Sequence, residues 1–191
     1  NITGPTGPRM AWAVTEANAH RGVTDNVSMG AEWLLTSSSD YPIATPDTDL
    51  GDGTSTIGVG NYCNTDQGRN WLTEIGVAPK VLYIVTYTGD GTPAHVIPHN
   101  LGVKPGMIII KTLSGSNGDW IVWHKDIDVD KYVALNRTIR DTTASNFMIS
   151  EPTKDVFYVG NWSSVNGTGY GFVAYVFAGD TADKVKCGLY V

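Results

Sequence analysis

Cysteine is nearly missing from this chain of 191 residues, which has Cys63 and Cys187 and no others. The two stand in no Cys-x-x-Cys pair and no Cys/His cluster, so neither a disulfide framework nor a zinc site is indicated, and a single long-range bridge is the one pairing left open. Charge is scarce as well, at 17% of residues, and what there is leans acidic: 13 Lys and Arg stand against 19 Asp and Glu, for a formal net charge of -6. Such a chain presents no general positive field to nucleic acid or anionic lipid, and neither is an expected partner. No apolar run in the sequence approaches the ~20 residues of a membrane-crossing helix. Membrane insertion is therefore not expected.

Turn and strand formers take the place of what is missing. The chain has 22 glycines, and aromatic residues make up 10% of it, a mixture poor in helix formers that leans towards an all-β fold. The length suffices for one cored domain or two small ones. Residues 1–9 hold Gly4-Pro5-Thr6 and Gly7-Pro8-Arg9, spaced as in a collagen-like stalk, although a proline-fixed linker is the simpler reading. MAWAVTEANAH, residues 10–20, is expected to be a helix, because alanine favours helix and Gly22 could close it. GRNWLTEIG, residues 68–76, offers a further helical turn or two. Between Gly30 and Gly60 periodicity fades into Ser, Thr, Asp, Gly and Pro. Residues 1–80 are thus expected to be a loop-rich segment with one or two short helices, a candidate small domain.

From Pro79 onwards strand-length apolar runs alternate with turn signals at sandwich-like spacing. VLYIVTY leads into Thr88-Gly89-Asp90-Gly91-Thr92, where Asp-Gly suits a hairpin turn to AHVI. MIIIKTL has no polar face before Lys111 and reads as a strand covered on both sides. DWIVWHK, KYVALN, NFMI and DVFYVGNW follow, and Ser163 to Gly169 forms a glycine-rich turn into YGFVAYVFA. That last strand is apolar on both faces, so it is either sandwiched inside one chain or buried against another copy. The expected architecture is an antiparallel β-sandwich over about residues 81–180, within a domain running from 81 to 191.

Candidate sites must be set against plainer readings. Asp126, Asp128 and Asp130 in DIDVD share one side of an extended chain at ~7 Å spacing, too far apart to grip one cation unless the chain curls. An acidic link between two strands is the plainer reading. Asp47, Asp49 and Asp52 invite comparison with a calcium loop, but the third aspartate and the glycine fall one place late and Gly58 stands where glutamate should close the site. His95 and His99 have the spacing of a helical zinc pair, yet Pro98 argues against a helix, and in a strand they lie ~13 Å apart. His124 has no serine or cysteine motif to activate. Glu32, Glu74 and Glu151 are separate and nominate no glycosidase pair. Trp123 and Trp162 are candidate stacking platforms for a sugar ring, with core packing as the plainer role. Trp120 and Trp123 point to opposite faces of their strand, so one at most can be wet. No cofactor is expected.

One further feature is the order of the motifs: YTGDGTPAHVIPHNLGVKPGMIIIKTLSGSNGDWIVWHK, then YVALN, then VFYVGNWSSVNGTGYGFVAYVFAGD. Over roughly residues 81–180 this order resembles the repeated β-rich domain found towards the C-termini of tail-fibre and other virion structural proteins of marine tailed bacteriophages, including cyanophages. Lys186-Cys187-Gly188-Leu189-Tyr190-Val191 resembles the opening of a further repeat, and with the absent initiator methionine it points to a piece of a longer protein. The resemblance implies a non-enzymatic virion component, commonly homotrimeric, that sits in the tail beside other virion proteins and builds the fibre or touches a host-surface glycan. A carbohydrate-binding module is the alternative. A polysaccharide-degrading tailspike would need carboxylates paired across one groove.

Overall fold

The computed structural model of the chain describes residues 79–115, 118–139, 141–181 and 185–188, and before them the backbone of six strands within residues 2–76. The chain divides into two compact units, Asn1–Val77 and Ala78–Val191.

In the first unit β1 (Ile2–Thr3) pairs with β5 (Thr56–Ile57), and a four-stranded sheet runs in the order β4-β3-β2-β6. Its members are β2 (Arg9–Thr15), β3 (Arg21–Asp25), β4 (Leu35–Thr36) and β6 (Asn70–Gly76), and every pairing is antiparallel. Both helices expected from the sequence are corrected here. Met10–Thr15 belongs to β2, hydrogen-bonded to a neighbour on each side, and Asn70–Gly76 is one of those neighbours. Ladder pairing on two edges outweighs the preference of isolated alanines for helix, which is worth only a few tenths of a kcal/mol per residue. Asp47, Asp49, Asp52 and Cys63 lie outside the described residues.

The second unit is all-β, two antiparallel sheets packed face to face. The larger runs in the order β12-β11-β10-β9-β15-β7 and the smaller in the order β13-β14-β8. In the larger sheet are β7 (Leu82–Thr88), β9 (Pro105–Ser114), β10 (Ile121–His124), β11 (Lys131–Ala134), β12 (Thr142–Thr143) and β15 (Gly171–Ala178). The smaller has β8 (His95–Pro98), β13 (Met148–Ser150) and β14 (Val156–Val159). A single helical turn, α1 (Ser163–Asn166), interrupts the glycine-rich connection into β15.

Alternation along the strands builds the core. Phe172, Ala174 and Val176 of β15 lie beside Ile108 and Ile110 of β9 on the face turned to Ile97 and Phe157 of the smaller sheet. Each of these buried side chains other than Ala174 contributes roughly 1.5–3 kcal/mol relative to exposure. The opposite face is buried too: Val173 and Tyr175 are 0% exposed and Ile109 is 4% exposed. Of the two alternatives for YGFVAYVFA, burial within one chain is the one observed, so its apolar pattern does not require a second copy. β9 is likewise covered on both sides. DWIVWH and KYVALN supply paired strands, with Ile121 opposite Ala134, and DIDVD is their link.

The hairpin expected at Thr88-Gly89-Asp90-Gly91-Thr92 does not form. β7 belongs to the larger sheet and β8 to the smaller, so this segment crosses between sheets instead of reversing within one. Gly91 does take the positive φ expected of a turn glycine, at 71°.

His99, just after β8, is 4% exposed, and its Nδ1 accepts the Leu101 amide at 3.3 Å. Burial holds the imidazole below its usual pKa, against weaker opposing pulls from the Thr153 backbone and Asp155. The unfolded chain, titrating near pH ~6.5, then binds the proton more readily than the folded one. The contribution of neutral His99 is therefore complete above that pH and is lost as the pH falls through the lower folded value. Urea midpoints of the full chain should decline between pH 7.5 and 5, and His99→Gln should flatten that decline; an unchanged slope in the variant would count against this source of acid sensitivity.

Candidate functional site

Polar side chains with chemical potential gather at the two ends of the sandwich, where the strands give way to loops. At one end β7 stops at Thr88, β9 at Ser114, and β15 begins at Gly171. The centre of this end is Asn166, the last residue of α1 and 0% exposed. Its Oδ1 accepts the Asp90 amide at 2.9 Å and lies 2.9 Å from His95 Nδ1. Its Nδ2 donates to Asp90 Oδ1 at 3.1 Å and to the Thr92 carbonyl at 3.0 Å. The amide's capacity of two donors and two acceptor sites is thereby filled. Asp90 in turn accepts the Thr92 amide and hydroxyl, each at 2.8 Å, and these bonds, the backbone one foremost, hold its carboxyl below the usual range.

Backbone bonds close the same junction: Gly89 N donates to Tyr170 O at 2.8 Å, Gly91 N to Asn166 O at 3.0 Å, and Gly169 N to Gly89 O at 2.8 Å. A Cβ on Gly89 would collide with the Gly167 carbonyl, which is why the crossing loop can lie this close to the turn. Tyr87, stacked on Phe172 with ring centroids 5.2 Å apart, donates its hydroxyl to the Val165 carbonyl at 2.7 Å. Burial pushes that phenol's pKa well above its ordinary value.

The loop between β9 and β10 is tied just as closely. Lys111, on the second face of β9, is 0% exposed and donates to the Gly118 carbonyl, with its ammonium 5.5 Å from the Trp120 ring centroid. Trp120 stacks on Tyr175 at 6.4 Å and covers part of the face opposite the inter-sheet core. Asn136, after β11, accepts the Trp120 amide at 3.0 Å and donates to Asp119 Oδ1 at 2.9 Å, while Arg137 Nε donates to Asp119 Oδ2 at 2.7 Å. The Lys, Asp-Trp and Leu-Asn elements of the motif order meet in this one knot.

The other end of the sandwich holds an open cleft of about 510 Å³ between Val103–Pro105, Lys125–Asp126 and Gly179–Thr181. Lys125 lies 3.0 Å from Asp126 Oδ1 and 3.3 Å from Asp180 Oδ2, and these carboxylates raise its pKa. Asp180 also accepts the Cys187 amide at 3.1 Å. The cleft charges are thus already matched, leaving a polar wall and not a charged trap. Behind it a Cβ on Gly106 would come within 2.7 Å of Gly179 Cα and 2.9 Å of Cys187 Sγ, so a glycine at the start of β9 permits a close backbone approach. Burial raises the Cys187 thiol pKa.

Among the described residues, the side chains nominated from the sequence do not converge. Asp126 pairs with Lys125, and Asp128 pairs with Lys131 at 2.8 Å. The backbone carbonyl of Asp130 takes the Ala144 amide at 2.7 Å. Among the described residues no group of three His, Cys, Asp or Glu is placed to hold a metal ion. Glu151 pairs with Lys104 at 2.9 Å. Trp123 is corrected as a sugar platform: it is 0% exposed, packed between the sheets. Trp162 is half-buried, its ring 4.8 Å from Tyr132 and 6.0 Å from Phe147. Asn166 was not among the nominated residues, since an asparagine in a glycine-rich turn reads as turn chemistry. Its one signal is the pairing of two turn motifs, Gly-Asp-Gly and Asn-Gly, far apart in sequence.

Residues 73–186 match a family described as Domain of unknown function (DUF7483). No curated protein and no solved structure matches the chain.

Removing the Asn166 amide takes away the bonds that hold the Asp90 amide and the Thr92 carbonyl, two exposed residues, against the buried end of α1. Asn166→Ala should cost about 1–3 kcal/mol, the range for several lost bonds whose partners can turn to water. Chemical denaturation of the full chain measures it, and a loss near zero would show that the junction does not hold the loops.

Proposed function

The chain belongs to the DUF7483 family, and from that premise, which carries no activity with it, we propose that it is a non-enzymatic structural protein of a tailed-phage virion, a tail-fibre component that holds loops towards a host surface. The supporting observation is the use made of the motif residues. Asp90, His95, Lys111, Asp119, Asn136 and Asn166 have the chemistry for proton transfer or ligand binding, yet each is joined to another loop of the same domain. Ties of this kind lower the entropy of surface loops before any contact is made, so less ordering remains to oppose attachment. The resemblance of its motif order to tail-fibre domains suggests the biological setting.

A second reading, a carbohydrate-binding module, is favoured by Trp162. Its ring and that of Tyr132 are both half-buried and tilted 52° to one another, a small aromatic patch of the kind on which a sugar ring can stack.

Antibodies raised against the purified chain should decorate the tails of intact particles of the encoding phage in negative-stain images; labelling confined to cell debris would remove the virion assignment. For the second reading, calorimetric titration with host envelope saccharides should give binding that Trp162→Ala weakens at least tenfold. Saccharide binding indifferent to that substitution would place the sugar elsewhere, and no binding would end the carbohydrate reading.

A further inference from the structure

Each sheet of the second unit ends in two edge strands, and an unprotected edge is a template for another strand. Three of these four edges are blunted. β12 is two residues long, and Lys131 on the strand beside it pairs with Asp141 at 3.4 Å. β13 is three residues long, with its register broken between Met148 and Ser150. β8 is four residues long and ends in Pro98, which has no amide to donate.

β7 has none of these devices. It is seven residues long, LYIVTYT, without charge or proline, and pairs with β15 in unbroken register from Leu82 to Thr88. Among the described residues no strand occupies its outer side, and Thr86 and Thr88 are exposed. Alternate backbone amides and carbonyls of an edge strand point away from its one neighbour, so β7 offers an ordered row of unpaired groups.

We propose that this edge is a self-association surface, pairing antiparallel with β7 of a second copy about a two-fold axis through Val85. The sequence of the strand argues for that occupant. In this register Val85 faces its own symmetry mate and Tyr83 faces Tyr87 on the same side, giving β-branched and aromatic cross-strand pairs. On the other side Ile84 faces Thr86 and Leu82 faces Thr88, and no like charges meet. Lys80 stands in the turn before the strand and Asp90 in the crossing after it, both exposed, so antiparallel pairing brings unlike charges towards each other at both ends. Main-chain bonds supply the attraction and the alternate side chains the register. The contact goes beyond the virion assignment and does not depend on it. It also departs from the homotrimer implied by the family resemblance, because an isologous contact closes in pairs.

The test is light scattering of the full chain after size exclusion, at tens of micromolar. The wild type should have twice the chain mass. Thr86→Lys with Thr88→Lys, which places cations on the exposed side of the edge, should halve that mass without altering the far-ultraviolet circular dichroism. In a Cys63→Ser, Cys187→Ser background, Val85→Cys should give a disulfide-linked dimer on oxidation with copper phenanthroline, each thiol losing one proton and one electron to the oxidant. A monomeric wild type, a trimer, a dimer that survives both lysines, or failure of the Val85→Cys variant to cross-link would each overturn the proposal.

Discussion

Burial of the central strands on both faces is the constraint on which the second unit depends. β15 lies between β7 and β9, and its side chains alternate between the inter-sheet core and an opposite face that is buried at Val173 and Tyr175. A strand in that position cannot carry polar groups along its length without desolvating them, at a cost of several kcal/mol for each unpaired one. Polar chemistry is displaced to the strand ends. Lys111 and Thr112 are exceptions, both inside β9 and 0% exposed; the Lys111 ammonium reaches back to a carbonyl and an aromatic face at the end of the sheet.

The same constraint explains why the ends are so closely tied. Sheets held by apolar contact gain most of their stability from area, which is non-directional and leaves loop geometry unspecified. Direction comes from hydrogen bonds whose partners are buried, because a buried group left without a partner is costly in any competing arrangement. Asn166 fixes the crossing between the two sheets, and Asn136 with Asp119 fixes the β9–β10 loop. Side chains bound in this way hold their loops in one arrangement. They are suited to holding a shape. The cleft between Lys125 and Asp180, with its charges matched, follows the same pattern.

Strand content was legible in the second unit and not in the first, for a physical reason. Runs such as MIIIKTL and YGFVAYVFA are apolar on both faces, and β-branched and aromatic side chains favour the pleated backbone, so period and propensity agree. In MAWAVT the two disagree: alanine points to helix, while the strand is fixed by neighbours about ten and sixty residues away, as the pairing of Ala13 with Gly22 and Leu72 shows. The Gly89–Thr92 turn misleads for a related reason. Local turn chemistry specifies a reversal, but the partner that decides where the chain goes next is Asn166, seventy-six residues beyond Asp90 in the Asp90–Asn166 bond. Trp123 and Trp162 could not be separated by type, since an indole serves equally in a core or on a surface. Their exposure depends on which sheet packs against them, and that is a long-range fact.

The constraint also bears on the edge of the larger sheet. A protein usually defends an edge strand with lysine, proline or a bulge. β7 has few positions at which a charge could stand, because Leu82 and Ile84 are 0% and 4% exposed on one face while Tyr83, Val85 and Tyr87 pack against the core on the other. A lysine at any of these five would lose packing on a buried face or bring its charge against apolar neighbours. Only Thr86 and Thr88 could take a charge without that loss, and both positions are neutral. Burial therefore accounts for five neutral residues and leaves these two unexplained. Neutrality at the two positions where charge would be tolerated is the pattern expected of an edge that is covered by another strand.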